Sequence, residues 1–154
     1  MLLGKQKVMN FNRHWDINEE YKDYDLKVYS HWLVCVSTRQ HTLGCCIIFC
    51  LRPGVWKYSE LTTEEVAELI QVKKELEQVL NKTFENIHVN YCQYGNKVKV
   101  FHEHVIPRYE GQKIKLGHIW PDPNPSSLPV WSKKNEDPSL LLKIKQELLV
   151  NFEQ

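Results

Sequence analysis

Residues 90–109 read NYCQYGNKVKVFHEHVIPRY, and the organisation of the chain can be worked out from there. The part from 98 to 106 reads as a strand that starts after the turn signal Tyr94-Gly95-Asn96 and stops at Pro107, which has no N–H for a ladder. Side chains on a strand alternate faces. Val98, Val100, His102, His104 and Ile106 therefore share one face, with Lys99, Phe101, Glu103 and Val105 on the other. Two imidazoles thus stand on one largely apolar face, on the order of 7 Å apart along the strand. A single buried histidine is usually a hydrogen-bonded core residue. A pair beside a Gly-Asn turn admits three readings: a metal site, a nucleophile with a partner, or two satisfied core residues. A zinc site needs three or four ligands, so the pair would need a third group such as His88 or His118.

The flanking chain fixes the fold class. Residues 26–37 are rich in Val, Tyr, Trp and Leu and read as a strand. Residues 44–51 (GCCIIFCL) are continuously apolar, as suits a central strand covered on both faces, and Arg52-Pro53-Gly54 ends the run. So close in sequence, the two runs form an antiparallel hairpin. Thr62-Thr63-Glu64-Glu65 is a capping box that opens one long helix. Its apolar stripe is Val66, Leu69, Ile70, Val72, Leu76, Val79, Leu80 and Phe84. Residues 87–92 are a third strand and 98–106 a fourth. Strand, strand, helix, strand, strand gives an α+β fold: an antiparallel sheet with one long helix packed across it.

Beyond residue 109 the chain turns rich in proline, with Trp120 and Trp131 among them. Tryptophans argue against disorder, so 109–137 is expected to be an ordered loop over the surface, at the mouth of the site. Asp137 as N-cap and Pro138 at the first helical position start a C-terminal helix over 138–152. At the other end, a short helix or arm is expected around 16–22. One domain over 1–154 accommodates all of this.

Residues 95–108 (GNKVKVFHEHVIPR) resemble the signature of the histidine triad (HIT) superfamily, in which three histidines alternate with apolar residues. They are closest to the branch resembling diadenosine tetraphosphate hydrolases. In that register His102 falls on the middle histidine, the family's nucleophile, and His104 on the third. Val100 stands where the first would be, which removes any side-chain relay to His102, and Glu103 takes an apolar position. The resemblance implies a HIT-like fold in which the middle histidine attacks the α-phosphorus of a nucleotide, forming a nucleotidyl-histidine that water hydrolyses. It implies His102 and His104 as catalytic residues and Asn90, Gly95 and Asn96 as substrate contacts. Dinucleoside polyphosphates or related nucleotides are the implied substrates, with turnover slowed, or reduced to nucleotide binding, by the change at Val100. It implies no protein-bound cofactor, although a divalent cation such as Mg²⁺ accompanies a polyphosphate. A homodimer through the long helix and a neighbouring strand is also implied. Without the resemblance, Asn96 and Gly95 would be turn residues, Asn90 a strand-edge group and Arg108 a surface residue.

Composition narrows the alternatives. In 154 residues, 42% apolar and 25% charged content is that of a globular chain, and a net charge of +1 offers no electrostatic basis for binding nucleic acid or membrane. No apolar run approaches the roughly 20 residues of a membrane span, and residues 1–10 lack the apolar centre of a signal peptide. Five cysteines, an odd number with no Cys-x-x-Cys pair, suggest reduced thiols in a cytoplasmic protein.

Overall fold

The computed structural model of the chain describes residues 13–16 and 18–152. Five strands, β1 (Asp25–Val28), β2 (Trp32–Val36), β3 (Cys46–Cys50), β4 (His88–Cys92) and β5 (His102–Arg108), form one sheet in the order β1-β2-β3-β5-β4, each pair antiparallel. The long helix α1 (Thr63–Phe84) connects β3 to β4, and α2 (Pro138–Phe152) closes the chain. Both helices lie on one face of the sheet. Their apolar residues and the sheet residues Trp32, Val34, Val36, Cys46, Ile48, Phe101 and Val105 make the main core. The opposite face carries a smaller cluster, Leu33, Cys35, Ile47 and Phe49, covered by Trp15 and Tyr21 of the N-terminal arm. The full burial of β2 and β3 on both sides explains their unbroken apolar spelling.

The capping box forms as expected: Thr62 Oγ1 accepts from the Glu65 N–H at 3.2 Å and the Glu65 carboxylate accepts from the Thr62 N–H at 2.8 Å. α1 ends at Glu85, whose φ of 57° is the left-handed stop common at helix ends. Asp137 Oδ1 accepts from the Ser139 N–H at 2.8 Å and opens α2.

Several expectations need correction. The strand expected over 26–37 is two strands, turned at Tyr29-Ser30-His31. No glycine or proline marks that turn. It is held by Glu68 of α1, whose carboxylate accepts the Ser30 and His31 N–H groups at 3.1 and 2.6 Å. Ile70 is 50% exposed and not part of the buried stripe. β5 starts at His102 rather than Val98, because the Phe101 N–H is taken by the Val55 carbonyl at 2.7 Å and the chain before it bends. β5 also runs through Pro107. At that residue the backbone nitrogen faces away from β4, and β3 pairs no further than Val105, so no ladder bond is lost. The described residues of 16–22 form turns, not a helix. Within 109–137, β6 (Lys113–Lys115) and β7 (His118–Trp120) pair as a hairpin. Among the described residues no helix is long and apolar enough to cross a membrane.

Candidate functional site

β5 sits between β3 and β4, and its period of two sends His102 and His104 to the face away from the helices. On that face His102 is paired across strands with Phe49 and His104 with Ile47. The imidazole centroids are 5.2 Å apart. His102 is 8% exposed, and its Nδ1 lies 2.7 Å from the Val100 carbonyl. A carbonyl oxygen can only accept, so the ring proton is on Nδ1 and Nε2 keeps a bare lone pair. Among the described residues Nε2 has no hydrogen-bond partner. Burial pushes the His102 pKa down, only partly opposed by the Val100 contact. Burial likewise lowers His104 to about 4, helped by His102, His41 and Arg39. Both rings are therefore neutral at pH 7.

The pair opens into a cleft of about 750 Å³. Trp15 and Tyr21 of the arm line one side, the segment 94–98 another, and Trp131 a third. Trp15 stacks on Phe49 at 6.1 Å and Phe49 lies 5.6 Å from His102, so an aromatic wall runs up to the histidine. Trp131 comes from the segment after the small hairpin and meets His104 edge-on at 5.2 Å. It also stacks on His41 at 3.8 Å, and the Ser132 N–H donates to His41 Nδ1 at 2.8 Å. His41 therefore carries its proton on Nε2. Burial, aided by Arg39, lowers its pKa to about 4. The sequence reading missed His41 and Arg39. They occur singly in a connection, and the Ser132 N–H that holds His41 lies 91 residues away, so no local pattern marks them.

The other expected site residues divide. Gly95 and Asn96 line the cleft with the two histidines. Gly95 adopts φ 64°, and its carbonyl accepts from Trp56 Nε1 at 2.9 Å; an added Cβ would sit 2.9 Å from that same nitrogen. Asn90 does not line the cleft. Its Oδ1 accepts from Arg108 Nη1 at 2.8 Å. Arg108 is not a surface residue. It is 2% exposed, forks onto both oxygens of Asp122 at 2.9 Å, and donates to the Ser127 and Asn124 carbonyls at 2.7 and 3.0 Å. The hub pins the segment leading to Trp131. Glu103, buried on the helix side, pairs with Lys73 of α1 at 2.5 Å. His88 and His118 are both exposed and neither lines the cleft; among the described residues no three metal-ligating groups converge.

An inner strand thus presents two neutral histidines to an aromatic-walled cleft, within the stretch that a family model matches. The chain belongs to the histidine triad (HIT) family: the HIT domain matches residues 29–111. A hypothetical histidine triad nucleotide-binding protein from Sulfolobus tokodaii shares 16% identity, with 91% of this chain and 90% of that one covered and a TM-score of 0.69. A histidine triad protein from Marinobacter aquaeolei shares 21%, covering 91% and 97%, with a TM-score of 0.63. A diadenosine triphosphate hydrolase from Plasmodium falciparum shares 14%, covering 86% and 76%, with a TM-score of 0.59. At these identities the likeness is one of fold. No curated protein sequence matches the chain.

Proposed function

We propose that this protein is a nucleotide phosphohydrolase acting on dinucleoside polyphosphates or related nucleotides. The observation that carries the reading is the His102 ring: Nδ1 is tied to the Val100 carbonyl and Nε2 is left with a free lone pair at the base of the cleft. A neutral imidazole is a competent nucleophile near pH 7. Nε2 attacks the α-phosphorus, the P–N bond forms as the leaving group departs, and water then releases the nucleoside monophosphate. Charge gathers on the phosphoryl oxygens in the transition state; the His104 ring, 5.2 Å from that of His102 and lining the same cleft, supports a donor role for it there. Gly95 and Asn96 border the same space, and the base and sugar lie along the Trp15–Phe49 wall. A divalent cation such as Mg²⁺ enters with the polyphosphate.

Val100 in the first histidine's place does not remove the orientation of His102, because the group that accepts from Nδ1 is the backbone oxygen. His102→Asn keeps an amide near Nδ1's position and removes the nucleophile. Turnover of a panel of adenine and guanine polyphosphates is expected to fall by a factor on the order of 10³ or more. The parent should also yield a nucleotidyl-protein adduct by intact mass after rapid acid quench. Equal hydrolysis by parent and variant would refute the assignment. The change at Val100 favours a second reading, a nucleotide-binding module with little turnover; calorimetric binding without hydrolysis over hours would select it. Homodimerisation through α1 and a neighbouring strand belongs to the same proposal and is read by sedimentation equilibrium.

A further inference from the structure

The connection between β2 and β3 brings two groups to the cleft that the reading above leaves unused. Arg39 is half-buried and lines the cleft. Among the described residues its guanidinium makes no ion pair and no hydrogen bond, and its backbone N–H donates to Ser37 Oγ at 3.3 Å. The carboxylates bordering the same space are engaged elsewhere. Asp16 accepts the Glu20 and Tyr21 N–H groups at 2.6 and 2.8 Å, and Glu20 accepts from Thr38 Oγ1 at 3.0 Å and Asn135 Nδ2 at 3.3 Å. His41, two residues on, is held by the Ser132 N–H and by the Trp131 stack, so its Nε2 is a fixed donor. Trp131 in turn abuts His104. An unpaired cation and a fixed N–H donor thus stand beside the His102–His104 pair.

We infer that Arg39 and His41 form a second phosphate subsite, next to the phosphorus that His102 attacks, so that the substrate is a phosphoanhydride rather than a phosphate ester or phosphoramidate. The inference rests on the proposed role of His102. An arginine is suited to this because its forked donors match phosphate oxygens and its charge is permanent. The chemistry of departure agrees. When the P–N bond forms at His102, the bond from the α-phosphorus to the bridging oxygen breaks and its electron pair leaves on the distal phosphate. An anhydride's leaving group departs as an anion and needs countercharge, which Arg39 supplies. An amine or alkoxide would need a proton, and His41 and His104, both shifted down to about 4, hold none to spare at pH 7.

The test compares kcat/KM for a diadenosine polyphosphate and for adenosine 5′-phosphoramidate in the parent, Arg39→Gln, Arg39→Lys and His41→Gln. The parent is expected to favour the anhydride. Arg39→Gln should lower the anhydride value by roughly ten- to a hundredfold, and at least tenfold more than the phosphoramidate value, with Arg39→Lys recovering part. Equal losses on both substrates, or no loss, would overturn the subsite. Binding separates this from a failure of the His102 reading. In a His102→Asn background, ADP should bind more tightly than AMP by calorimetry, and Arg39→Gln should remove that advantage. If ADP and AMP bind alike, or Arg39→Gln leaves the difference intact, the subsite is wrong whether or not the protein turns over.

Discussion

Replacing Arg108 with Met tests how the cleft is supported. Arg108 is buried with five hydrogen bonds, two of them the parallel fork onto Asp122, and Asp122 Oδ2 also accepts from the Tyr109 N–H at 3.0 Å. Methionine fills much of the volume but leaves the buried Asp122 carboxylate with one backbone donor. Breaking a buried pair from one side costs about 3–5 kcal/mol. For a domain of this size each kcal/mol lowers Tm by about 2–4 °C, so the variant should melt roughly 6–20 °C below the parent. Thermal and urea unfolding measure it. Adding Asp122→Leu should return a substantial part of the loss, because no charge is then stranded. The pH dependence has a definite sign. Burial pushes the Asp122 carboxyl up, and the Arg108 bonds and the Tyr109 N–H more than reverse this, leaving it below the usual range. The pair's contribution is complete above the unfolded carboxylate pKa and is lost as pH falls through the folded value. The gap between parent and Arg108→Met should therefore narrow in acid. A loss under about 1 kcal/mol for Arg108→Met, or simple addition of the two single costs, would refute the reasoning.

Three further outcomes follow from the same structure. His102 is shifted down by burial, so the acid limb of kcat/KM should lie below the ordinary imidazole pKa of about 6.5, leaving the rate flat across neutral pH. His41 and His104 take up protons in the unfolded chain before they do in the folded one, so stability should fall as pH drops from about 6.5 toward the folded value near 4; acid titration by circular dichroism reads this. Lys73→Met should destabilise by about 1–3 kcal/mol in urea because it strands the buried Glu103, whereas Lys73→Met with Glu103→Val should match or exceed the parent.

What the chain spells locally can be read from it. The Thr62–Glu65 box, the run through Ile47 and Ile48 and the Asp137 cap depend on residues within a few positions of each other, and each gives the expected element. The His102–His104 pair is legible for the same reason, since strand periodicity alone sets both rings on one face. The features that escape the sequence depend on distant partners. The Tyr29–His31 turn exists because Glu68, 37 residues past His31, accepts its N–H groups. Arg108 goes inward because Asp122 lies on a segment that folds back beside it. His41 enters the cleft because Trp131 and Ser132 cover it. Position 100 is a different case: a side-chain reading finds an apolar residue with nothing to offer His102, and the contact is made by an atom every residue carries.

That atom has a consequence for substitution at position 100. A main-chain oxygen is not deleted by substitution; it can only be re-aimed. The letter at 100 is thus free to vary so long as the bend before β5 keeps its direction, and Val100 meets that condition by packing its side chain against the small apolar cluster around Phe49. The aim of the His102 ring is thus set by the path of the chain at 100 and asks for no polar side chain there.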